Sequence, residues 1–87
     1  MRAVSITADT QVADGECYLY GAELSHSTDT SLIIYNEADS SETAAKKVIT
    51  LRVTDEMQYA CIIFPIPMRV AGVYADWTAG VGTVYIG

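Results

Sequence analysis

The chain has 87 residues, 51% of them hydrophobic, with eleven acidic side chains against five basic ones and a formal charge of −6. This length allows one domain, spanning residues 1–87, with a small core, so part of the apolar surplus has to stay at the surface or face another chain. The five cations are scattered (Lys46, Lys47, Arg52 and Arg69 among them), which argues against nucleic acid and anionic membrane surfaces as partners, because phosphate binding needs clustered positive charge.

In chain order, strand signals recur at short, even spacing. Ala3 to Ala8 alternates apolar and polar residues, and Asp14-Gly15 is a turn dipeptide. Glu16 to Ser25, rich in Tyr and Leu, reads as the second strand, and HSTDTS as a loop. Leu32 to Tyr35 is a short apolar run, followed by the longest polar stretch, NEADSSETAAKK. Within it Asp39 and Glu42 have capping-box spacing, but the run is too short to hold a helix unaided, so a connection with one helical turn is expected. Val48 to Thr54 alternates cleanly, with Ile49, Leu51 and Val53 on one face and Thr50, Arg52 and Thr54 on the other. Asp55-Glu56 makes a turn, and Met57 to Phe64 is apolar except for Gln58. Pro65-Ile66-Pro67 is expected to break pairing, since proline has no amide hydrogen for a sheet. Val70 to Trp77 and Val81 to Ile86 form a last pair across Thr78-Ala79-Gly80. About seven strands with regular turn signals predict an all-β fold: a single small antiparallel β-sandwich, jelly-roll-like.

The chemistry-bearing residues are few. Cys17 and Cys61 lie in apolar runs without a CxxC arrangement, and read as small buried hydrophobes; a disulfide requires their strands to be neighbours. The single histidine, His26, sits between Ser25 and Ser27 with Asp29 close by, but a short polar loop does not supply the fixed geometry or the buried carboxylate of a catalytic triad. Asp29, Glu37, Asp39 and Glu42 make an acidic rim without a calcium-loop pattern, and the glycines form no phosphate-binding motif. No enzyme, cofactor or metal is expected. The N-terminal ten residues lack the apolar core of a signal peptide, and the run Ala60 to Pro67 is too short to cross a bilayer, so synthesis in the cytoplasm without a cleaved signal is expected. Strand aromatics such as Tyr18, Tyr20, Tyr74 and Trp77 are read first as core or cross-strand partners, with subunit contacts or a sugar-stacking platform as alternatives.

Four stretches together carry a resemblance. They are Leu19-Tyr20-Gly21-Ala22-Glu23, Leu32 to Tyr35 ahead of a Ser/Thr-rich turn, the Phe64 to Pro67 break, and the closing hairpin Gly72 to Ile86. Over residues 16 to 87 this order resembles a group of very small β-sandwich proteins encoded in the structural modules of tailed bacteriophages. The resemblance implies a virion protein made in the host cytoplasm: a capsid decoration (cement) protein, or a component of the neck or tail. Its partners would be the major capsid protein or another virion protein, together with further copies of itself as a homo-oligomer; no active site is transferred. A carbohydrate-binding β-sandwich module using Tyr18, Tyr20 or Trp77 is the alternative. For the virion reading, the expected subunit contacts are Tyr74, Trp77, Thr83, Val84, Tyr85 and Ile86, because an apolar last strand needs cover. That cover comes either from the chain's own sandwich or from a neighbouring chain paired to the strand's free edge.

Overall fold

A computed structural model describes residues 1–87. Eight strands form: β1 (Arg2–Ile6), β2 (Thr10–Ala13), β3 (Cys17–Ser25), β4 (Thr30–Tyr35), β5 (Lys47–Val53), β6 (Tyr59–Val70), β7 (Val73–Trp77) and β8 (Val81–Ile86). They build two four-stranded sheets in the orders β1-β8-β3-β6 and β2-β7-β4-β5, antiparallel throughout. In each of the pairs β1–β8, β2–β7, β3–β6 and β4–β5 the strand numbers sum to nine. This is the wiring of one long two-stranded ribbon rolled into a sandwich, the jelly roll.

The expected fold class is thus the observed one, with eight strands instead of about seven. The added strand is β2, only four residues long and holding one deeply buried side chain, Val12. Val70 belongs to β6, and β7 starts only at Val73, after the Ala71 amide has donated to Asn36 Oδ1 at 2.8 Å. The expected helical turn is a single 3-10 turn, Ala44–Lys46, and Asp39 uses its carboxylate to accept from the Ser41 amide at 2.9 Å.

Between the sheets, Ile6, Leu19, Leu24, Leu32, Ile34, Val73 and Val84 are fully excluded from solvent. β5 contributes by strict alternation, with Ile49, Leu51 and Val53 buried and Thr50 and Arg52 exposed. The polar excursion after β4 lies against the outer surface of the second sheet. Gln11 Nε2 donates to the Glu37 carbonyl (2.9 Å) and to the Val73 carbonyl (3.1 Å), and the Gly72 backbone sits so close to Glu37 and Ala38 that a β-carbon there would lie 2.5 Å from Ala38 Cα. No helix is long and apolar enough to cross a membrane.

Candidate functional site: the β6 edge

The six residues expected to make subunit contacts are divided by the fold. β8 lies between β1 and β3 with both edges paired, so no neighbouring chain can be added to it. Val84 and Ile86 are part of the core, and Tyr74 is buried on β7, next to Tyr35 across the ladder. These three are corrected from contact residues to internal ones. Of the two covers weighed for the last strand, the chain's own sandwich is the one present. Trp77 packs against the core cluster and its Nε1–H donates to the Gly80 carbonyl at 2.9 Å, so its ring is a packed strut, not an open platform. Gly80, at φ +90°, takes the left-handed turn position that closes this hairpin. Thr83 and Tyr85 are half-buried on the outer face of the first sheet.

The surplus of apolar surface lies elsewhere. Of the nine large hydrophobic side chains left exposed, five (Tyr59, Ile62, Ile63, Ile66 and Met68) are on β6, and a sixth, Met57, leads into it. β6 is an edge strand of twelve residues, paired to β3 on one side only. Its first half runs in register with β3, from Tyr59 opposite Ser25 to Ile63 opposite Gly21; pairing resumes at Met68 opposite Leu19. Tyr20 alone therefore stands against the four residues Phe64 to Pro67, a wide bulge that holds both prolines. The expected break at Pro65–Pro67 is present as this bulge, while the strand runs on to Val70. Gly21 makes the close approach possible: a β-carbon there would lie 2.2 Å from the Ile62 carbonyl oxygen.

The phase of the ladder shows which backbone groups of β6 are free. The His26 amide donates to the Gln58 carbonyl at 3.1 Å, so that pair is hydrogen-bonded. Pairs in an antiparallel ladder alternate, so Ala60 and Ile62 turn their N–H and C=O groups to β3, and Tyr59, Cys61 and Ile63 turn theirs outward. On the side-chain side, Tyr59, Cys61 and Ile63 lie on the outer face, while Ala60 and Phe64 pack against the core.

A three-strand clamp stiffens that outer face. Glu23, on β3, accepts from the Tyr59 hydroxyl of β6 at 2.5 Å and from the Tyr85 hydroxyl of β8 at 2.7 Å. The Tyr59 hydroxyl, then that of Tyr85, holds the Glu23 carboxyl below the usual carboxylate range. The same bonds push both phenols upward, led in each case by the hydrogen bond to Glu23. At the far end Arg69 Nη2 and Glu16 Oε2 are 2.8 Å apart, with both side chains largely exposed.

The other chemistry-bearing residues do not converge. Cys17 and Cys61 sit on paired strands, but the register sets Cys17 against Val70 and Cys61 against Glu23, about 20 Å apart along the sheet, and both thiols are free. Cys61, expected to be buried, is exposed at the edge; Cys17 is half-buried, and burial pushes its thiol upward. The His26 backbone is tied to Gln58, and Gln58 Nε2 also donates to the Ser27 carbonyl at 3.3 Å; Asp29 is exposed. No three His, Cys, Asp or Glu side chains come close enough to hold a metal ion. The largest depression, beside Arg2, Asp14, Glu16 and Cys17, is open to solvent.

No family model, curated protein or solved structure matches this chain. The β6 edge therefore has to be read from its own physics.

Proposed function

We propose that this protein is a structural component of a tailed-phage particle, a capsid decoration or cement protein that works through protein–protein contacts. The observation that carries the reading is the apolar, unguarded first half of the β6 edge. Soluble proteins blunt such edges unless something covers them. Two further points support it: the resemblance of residues 16–87 to small phage sandwich proteins, and a jelly roll, the architecture that viral capsid domains use alongside lectins and cupins. Fold alone does not select among those uses. A binding surface made from an edge and an outer face, with no enclosed pocket beneath it, suits a protein that joins a shell by surface complementarity. A neck or tail position uses the same surface.

The test is compositional. Virions purified from the phage that encodes this chain are analysed by mass spectrometry and imaged. The expected result is the chain present in many copies at symmetric positions on the particle. Its absence from washed particles overturns the proposal. Quenching of Trp77 fluorescence by oligosaccharides, without any binding to particles, would favour the carbohydrate-binding alternative instead.

A further inference from the structure

We infer that β6 is completed by β6 of a second copy of this chain, antiparallel and about a two-fold axis at Cys61, which joins two four-stranded sheets into one of eight strands. The inference rests on reading this edge as a contact surface and adds its occupant and its register.

The register follows from the free backbone groups. Only Tyr59, Cys61 and Ile63 direct N–H and C=O outward before the proline bulge begins. A two-fold at Cys61 sets Cys61 against itself, and Tyr59 against Ile63 of the second copy, twice. All three residues then sit in hydrogen-bonded pairs, each pair exchanging two bonds. Moving the axis to Ile62 sets Tyr59 against Pro65, which has no N–H to give; moving it to Ala60 sets Ile63 against Met57, which lies in the turn before the strand.

The side chains agree with that choice. On the outer face Tyr59 and Ile63 of the second copy stand directly opposite each other, an aromatic against a β-branched residue, with the Tyr59 hydroxyl held toward β3 by Glu23. On the inner face the exposed Ile62 meets the small Ala60 of the second copy, a large side chain against a gap. Charge does not oppose the pairing. The nearest acidic side chain on the outer face is Glu23, one strand in; its counterpart in the second copy stands three strand spacings away, about 14 Å, beyond the screening length in physiological salt. The seam is small: with about 200 Å² for a whole side chain of this size, the exposed parts of Met57, Tyr59, Ile62 and Ile63 come to roughly 430 Å² per copy, against ~800 Å² per partner in an interface of standard size, which fits a pair that dissociates on dilution.

Sedimentation of the full chain under reducing conditions is expected to give twice 9.4 kDa, with dissociation on dilution. Ile63→Lys, which changes an exposed side chain, should weaken self-association roughly ten-fold or more while the circular dichroism spectrum and melting profile of the monomer are kept. In a Cys17→Ser background, mild oxidation should link Cys61 to Cys61 rapidly. With Cys61→Ser added and Ile63→Cys as the lone thiol, linking should be slow, because those two positions lie four residues apart across the proposed seam. A wild-type chain that stays monomeric at high micromolar concentration overturns the pairing, and faster linking at position 63 than at 61 overturns the register. A monomer that still loads onto virions refutes the pair and leaves the virion reading standing; a dimer absent from virions does the reverse.

Discussion

β5 and β6 are the edge strands of the two sheets on the same flank of the sandwich, and they handle an edge strand's exposure in contrary ways. β5 buries every second side chain and presents Lys47, Thr50 and Arg52 to water, so its unpaired backbone is flanked by charge. β6 has no charged side chain from Tyr59 to Met68 and leaves isoleucines at the surface, Ile66 at 83% exposure. β1 carries Arg2, and β2 is four residues long with an irregular register between Gln11 and Ala13. Three edges are thus protected by charge, shortness or a bulge, while β6 is protected over its second half alone, by Pro65 and Pro67. This unguarded stretch, on a molecule that guards its other edges, is the ground for the pairing proposed above.

The largest effect that tests this contrast is in the buried half of β5. Leu51→Ala removes a side chain only 6% exposed and should cost about 2–4 kcal/mol in urea unfolding, whereas Ile63→Ala should change the stability of the monomer by less than about 1 kcal/mol. Similar losses from both would mean that β6 is as deeply packed as β5, and the contrast would fail. Gly21→Ala comes next. The added methyl meets the Ile62 carbonyl oxygen, so β6 has to move off β3, and a loss of about 2 kcal/mol is expected. A neutral result would show that β6 is held loosely.

The Glu23 clamp gives a smaller, pH-dependent effect. Its folded pKa is lowered, so the stability it contributes is complete above the unfolded glutamate value of about 4.3 and is lost as pH falls through the folded value. Glu23→Gln should cost about 1 kcal/mol or less at neutral pH and reduce the loss of stability on acidification below pH ~4. Asp76 has the opposite sign: burial first and then Asp9 raise its pKa, so its ionisation opposes folding as pH rises through the folded value. Asp76→Asn should therefore raise the melting temperature slightly at neutral pH, and a lower one would contradict that sign. The smallest change is Ile66→Thr, in the bulge. It should leave the monomer within about 0.5 kcal/mol of the parent.

The same two strands show what the sequence could and could not reveal. The alternation from Val48 to Thr54 gave the facing of β5 residue by residue, because each side chain's choice between water and core is written into a period of two. In β6 that signal is missing: a continuous apolar run looks the same in a central strand and at an edge. Which it becomes depends on long-range pairing, here β8 between β1 and β3, and no local pattern encodes that. For this reason Cys61 reads as buried although it is exposed, and Val84 and Ile86 read as contact residues although they lie in the core. β2 was missed because four residues around Val12 are too short to show a period. Pro65 and Pro67 mark the break in pairing correctly; what they do not reveal is that an edge strand can bulge past both and continue to Val70.

The Phe64–Pro67 bulge has a consequence for how far association can go. It confines the pairing-competent backbone to one short window per molecule, and a surface that is its own complement is used up by a single like partner. Two molecules joined there would leave only blunted rims facing outward, so growth would end at the pair and would not run on into open-ended fibrils.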